Sequence, residues 1–212
     1  MNAMNDATQE DSPATHSARD WVARHYREAA AAALLAAERL DAVIAEAAQC
    51  VVAAFLDNHR VLACGNGGSA ADAEHLVAEL IGRLEQERPG LPAIALTVPS
   101  STMTAVGNDY GYEEVFARPV RALGNPGDVL IAFSASGNSV NVVAAVDAAH
   151  EREMRVIAFT GEGGGRVGEH LLAGDHLIAV PASRIMRAQE LHRVGMHALC
   201  DVIDRILLGG LS

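Results

Sequence analysis

At 212 residues the chain is sized for one domain, and half of it is hydrophobic, enough for a packed core. Aromatics make up only 4% and alanine is abundant, which favours close helix packing over an aromatic-rich β sandwich. The net charge of −11 and the lack of a Lys/Arg cluster argue against wholesale binding of nucleic acid or of an anionic membrane. A local nest of N–H groups can still hold a small anion on an acidic chain.

In chain order, residues 1–18 are polar and acidic and are expected to be a disordered leader, leaving 19–212 as a single domain. No signal peptide or membrane-length apolar run is seen. Cys50, Cys64 and Cys200 are an odd, scattered set and read as free thiols in a reducing cytoplasm. From Trp21 to Asn58, Ala, Leu, Val and Ile recur at three- and four-residue steps with no Pro or Gly, predicting one long helix or two.

After His59 and Arg60 the period changes. Short apolar runs at 61–65, 92–97, 127–134, 155–161 and 175–182 alternate with helical stretches. A helix is expected from the first run to about Glu87, another over 113–123, another from “ASGNS” through Arg152, and a last one from about Ser183 to Leu208. Small polar residues follow the second run and a Gly-rich turn follows the fourth. Such alternation predicts βαβ units: a doubly wound α/β fold with a five-stranded parallel sheet flanked by helices.

Ligands of open α/β sheets bind beyond the carboxyl ends of the strands, so the strand-to-helix loops carry the information. After the first strand comes “GNGGS”, Gly65 to Ser69; after the third comes “SASGNS”, Ser134 to Ser139. The second loop sets three hydroxyls and a glycine at the start of a helix, where free N–H groups and the macrodipole favour a phosphate. The blander reading is that Ser and Asn cap helices. Neither loop matches the dinucleotide fingerprint or the P-loop, so a sugar phosphate fits better than a nucleotide.

His75 and Glu79 sit four apart on the helix behind the first loop and share a face. An arbitrary pair of this kind is usually a surface contact; its closeness to the loop gives this one weight. The last helix carries “QELHRVGMH”, 189–197. Spacing alone does not choose among Gln189, Glu190, His192 and His197, and a lone His at a core-type position is more often hydrogen-bonded than ligating.

“CGNGGSAADAEHLVAELIGR”, “RPGLPAIAL”, “VGNDYGYE”, “RALGNPGDVLIAFSASGNS” and “QELHRVGMHALCDVID” together resemble the sugar isomerase (SIS) domain family over about residues 25–208. Within it they resemble the ketose–aldose isomerases that convert sedoheptulose 7-phosphate to D-glycero-D-manno-heptose 7-phosphate in bacterial heptose synthesis. The resemblance implies a homotetramer with sites near subunit interfaces. It implies one Zn2+ per subunit on His75, Glu79, Gln189 and His197, and thus Gln189 rather than Glu190. It implies Glu79 and His197 as the acid/base pair. Substrate would meet Asn66, Gly67, Gly68, Ser69, Glu79, Asn108, Asp109, Ser134, Ala135, Ser136, Ser139 and Gln189. Three departures stand out. The family's Ser-Thr-Ser reads Ser134-Ala135-Ser136, its Arg-Ile pair before Gln189 reads Arg187-Ala188, and Met186 takes a position where some members carry Asp. A non-catalytic branch, a tetramer that associates with the replication initiator protein, is the alternative; it lacks equivalents of Glu79 and His197, and both are present here.

Overall fold

A computed structural model describes residues 17–210. The N-terminal apolar pattern is one unbroken helix, α1 (Ala18–Leu56). Its start is a capping box. Ser17 Oγ accepts from the Asp20 amide at 3.2 Å, while Asp20 Oδ2 accepts from the Ser17 amide at 3.1 Å. Residues 1–16 of the expected leader lie outside the described residues; Ser17 and Ala18, counted with it, instead open the helix.

The chain continues through β1 (Val61–Gly65), α2 (Gly68–Ile81), β2 (Ala93–Ala95), α3 (Ser100–Tyr110), α4 (Glu114–Leu123), β3 (Val129–Ser134), α5 (Val140–Glu151), β4 (Arg155–Thr160), α6 (Gly165–Glu169), β5 (His176–Ala179) and α7 (Ile185–Leu207). The five strands pair in parallel in the order β2-β1-β3-β4-β5, the doubly wound sheet that the alternation predicts.

Alternate strand residues serve opposite faces. Val61, Ala63, Val129, Ile131 and Phe133 pack beneath α1, α2 and α7. Leu62, Cys64, Leu130 and Ala132 pack beneath α3, α4, α5 and α6. Burial pushes the thiols of Cys64 and Cys200 up to about 12, and the three cysteines are free. Among the described residues no helix is long and apolar enough to cross a membrane.

Three elements depart from the periodicity. The small polar stretch after β2 is helical, as α3; only Val106 of it is buried, too little for an apolar stripe. The Gly-rich turn after β4 holds the short α6 around buried Val167. The third, α2, ends at Ile81 rather than near Glu87, because Arg88 folds back and donates to the carbonyls of Glu79 and Leu80 at 2.9 and 2.8 Å.

The order of strands reverses direction between β1 and β3, and Gly65 and Phe133 are register partners there. This is the topological switch point, where the crevice of such a sheet opens. Both loops singled out in the sequence leave from it.

Candidate active site

The first loop depends on glycine. Gly67 has φ +56° and ψ −118°, a conformation open in practice to glycine alone. A Cβ on Gly68 would come within 2.7 Å of Gln189 Nε2, so the missing side chain lets α7 lay Gln189 against the loop. Ser69 is buried in the first turn of α2, and its amide donates to the Asn66 carbonyl at 3.0 Å. No side chain caps α2.

In the second loop, buried Ser134 donates its hydroxyl to that of Ser139 at 3.1 Å. Ser139 is the N-cap residue of α5, yet its side chain makes no capping bond. The capping explanation for these serines therefore fails at Ser139, and two helix N-termini at the switch point carry no side-chain cap. Ser136 is exposed and its Oγ accepts from the Asn138 amide. Half-buried Ala135 lies between these hydroxyl residues. Asn108 and Asp109 are exposed at the end of α3 and bonded to each other at 2.8 Å; among the described residues neither hydrogen-bonds to the loops.

Behind the first loop, His75, Glu79 and His197 come together. His75 Nε2 is 2.8 Å from Glu79 Oε1 and 3.5 Å from His197 Nε2, and one donor atom from each lies within 4.8 Å of the others. All three are half-buried. Around a tetrahedral ion with bonds of about 2.0–2.1 Å, ligand atoms stand about 3.4 Å apart. Two imidazoles and a carboxylate at this spacing fit a divalent transition ion. His197, ambiguous in the sequence, is thus a member of the cluster rather than a solitary core histidine.

Gln189 and Glu190 both line the cleft between α2 and α7, and they differ in their partners. Glu190 is taken by Arg187 and by His25 of α1, the latter at 3.1 Å. Gln189 makes no such bond and rests on Gly68. Gly68, Asp72, Gln189, Arg193 and His197 line one cleft of about 540 Å³ between α2 and α7. Among the described residues no hydrogen bond joins Gln189 to the His75–Glu79–His197 cluster; Gln189 and His197 line the same cleft.

Four residues that hold this arrangement escaped the sequence reading. Arg193 donates to buried Asp72 at 2.7 Å, and buried Arg88 donates to buried Asp204 at 2.6 Å. One pair joins α7 to α2 before His75, and the other joins α7 to the segment after α2. Asp72, Arg193 and Asp204 show in the sequence only as charges near apolar residues and Arg88 only as one charge in a polar stretch, and without the fold none has a partner to name.

A parallel sheet of this order with a cleft beside its switch point is a doubly wound ligand-binding fold, and residues 25–161 match the SIS domain family. The phosphoheptose isomerases of Azoarcus sp. (strain BH72) and Laribacter hongkongensis (strain HLHK9) are 53% and 54% identical to this chain. They match over 90% and 88% of it and 96% and 95% of their own lengths. The solved phosphoheptose isomerase GmhA from Neisseria gonorrhoeae has 46% identity and a TM-score of 0.85 over 89% of this chain and 99% of its own. The chain belongs to the SIS domain family and, within it, to the phosphoheptose isomerases, which are sugar-phosphate isomerases.

Proposed function

We propose that the chain converts sedoheptulose 7-phosphate to D-glycero-D-manno-heptose 7-phosphate in the cytoplasm, as a homotetramer with one zinc ion per subunit. The observation that carries this reading is the convergence of His75, Glu79 and His197 beside two uncapped helix N-termini. The family membership supplies the seven-carbon sugar phosphate.

The phosphate is taken by the hydroxyls of Ser134, Ser136 and Ser139 and by main-chain N–H groups of the loop with Ala135, where a helix start favours an anion. Asn66, Gly67, Gly68, Ser69, Asn108, Asp109 and Gln189 hold the rest of the sugar. Anchoring the phosphate keeps the first two carbons in register with the catalytic groups.

Ketose–aldose exchange moves one proton between neighbouring carbons and one between their oxygens, through an enediol and with no net redox change. Glu79 takes the proton from the hydroxyl-bearing carbon and returns it to its neighbour. One oxygen of Glu79 is engaged by His75, which leaves Oε2 for this transfer. His197 gives a proton to the carbonyl oxygen and recovers one from the adjoining hydroxyl. His75, Glu79, Gln189 and His197 would hold zinc, which when bound polarises the oxygens of the sugar.

An apolar groove of about 350 Å³ between α1 and α7, lined by Ala33, Leu40, Ile44 and Val194 among others, supports assembly. Val194 borders both this groove and the cleft, so a subunit docked there would adjoin the site. The test is isomerisation of sedoheptulose 7-phosphate by purified protein, stripped of metal and then given zinc. Activity lost on stripping and restored by zinc is the expected result; a folded tetramer inactive in every form overturns the proposal.

A further inference from the structure

Asn66, which opens the first loop, has its side-chain amide committed within the protein. Its Nδ2 donates to Asn141 Oδ1 at 2.8 Å, and its Oδ1 accepts from Asn141 Nδ2 at 2.8 Å. The same Oδ1 accepts a further bond from the Tyr112 hydroxyl at 3.1 Å. The three side chains come from separate segments. Asn141 is buried in the first turn of α5, and Tyr112 stands exposed between α3 and α4. Together with Ser139 they line a cavity of about 510 Å³ on the α5 side of the first loop.

A reciprocal amide pair satisfies both partners in one relative orientation only. It therefore sets the distance between the first loop and the start of α5, which carries the second loop. An amide oxygen has two acceptor sites and an amide nitrogen two hydrogens. With Asn141 and Tyr112 bound, the Asn66 oxygen is filled and one Nδ2 hydrogen remains. Asn66 is thus left to meet a ligand mainly through its main chain. The exposed Tyr112 hydroxyl could bond to water at little cost. Directed at Asn66, it adds the α3–α4 turn to the joint, while the reciprocal bonds with Asn141 disfavour a flipped Asn66 amide, which would set nitrogen against nitrogen.

We propose that Asn141 and Tyr112 are positioning residues. They lock the Asn66 amide and so hold the two loops at the spacing that the sugar phosphate requires. This rests on the reading above that the loops take a sugar phosphate. Because the joint lies on the binding loops and away from Glu79 and His197, loosening it weakens binding and spares the proton transfers.

The test compares wild type with Tyr112→Phe, Asn141→Asp, Asn66→Ala and the Tyr112→Phe/Asn66→Ala double variant. KM and kcat are measured for sedoheptulose 7-phosphate, and Kd for the same compound by calorimetry. Tyr112→Phe raises KM and Kd about threefold to tenfold with kcat within about twofold, the scale of one hydrogen bond. Asn141→Asp sets a carboxylate oxygen against Asn66 Oδ1 and raises both constants about tenfold or more. In the Asn66→Ala background the Tyr112→Phe effect disappears, because Tyr112 acts through Asn66. A Tyr112→Phe variant with unchanged KM and Kd overturns the proposal. So does an effect that persists in full without the Asn66 amide, which would mean direct contact with the ligand. Wild type that binds the compound without converting it sinks the isomerase reading alone, and the Kd values still decide the loop joint; wild type that does neither overturns both.

Discussion

His75, Glu79 and His197 show how much a site depends on atoms rather than on residue types. His75 and Glu79 meet because four residues of helix bring side chains to one face, and their 2.8 Å contact was foreseeable from spacing. His197 enters from a helix more than a hundred residues later, 3.5 Å from His75, and nothing local foretells that. Under the proposed mechanism Glu79 carries the carbon-bound proton. Glu79→Gln keeps the shape and removes the base, so kcat is expected to drop about 10²-fold or more with the fold intact. Turnover close to wild type, with a normal circular dichroism spectrum, would remove Glu79 from that role. Ala188, one of the departures from the family pattern, is buried in the core rather than exposed to the cleft, so that change alters packing volume behind Gln189. Met186, by contrast, lines the cleft.

Among the elements, the relation of α2 to α7 decides whether the cluster exists. Arg88 and Asp204 have side chains only 2% and 3% exposed, and Arg88 also holds the end of α2 through main-chain carbonyls. Removing one partner of such a pair leaves a buried charge uncompensated. Asp204→Ala is expected to cost about 3–5 kcal/mol, read as a lower urea midpoint with unchanged m-value. A midpoint within error of wild type would show that the pair does not hold α7. The same helix carries a pH-sensitive element. His192 is buried against the rings of Phe133 and Phe159. Desolvation holds its pKa below the ordinary 6.5, opposed in part by the Thr160 main chain and by Asp72. The unfolded chain therefore takes up this proton first as pH falls. The contribution is complete above the ordinary value and is lost as pH drops from there towards the lower folded one. Urea midpoints are expected to fall between about pH 7 and pH 5, and less so in His192→Leu. Equal slopes for both proteins would assign the acid sensitivity elsewhere.

At the scale of the molecule, the cleft beside the sheet's switch point adjoins the apolar α1–α7 groove through Val194. If that groove is an interface of the proposed tetramer, a charge at its border is incompatible with assembly. Val194→Glu, at a position 58% exposed in the single chain, is expected to lower the mass in solution and reduce isomerase activity together. Light scattering coupled to size-exclusion chromatography reads the mass. A tetramer unchanged by this substitution would place the interface on another face.

The sequence by itself determined the five strands, the five longer helical stretches between and around them, and the two loops, because hydrophobic period and glycine placement are local properties of the chain. It also determined the His75–Glu79 pair, which a single helix brings together. It did not show α3, where Ser and Thr compete with the backbone and a single buried valine supplies the anchor. Tertiary structure alone decided the meeting of His197 with His75, the engagement of Glu190 by His25, and the joint of Asn66 with Asn141 and Tyr112. Each of these joins segments dozens to more than a hundred residues apart. Such contacts follow from the order of strands in the sheet and the faces the helices cover, and spacing along the chain does not encode them.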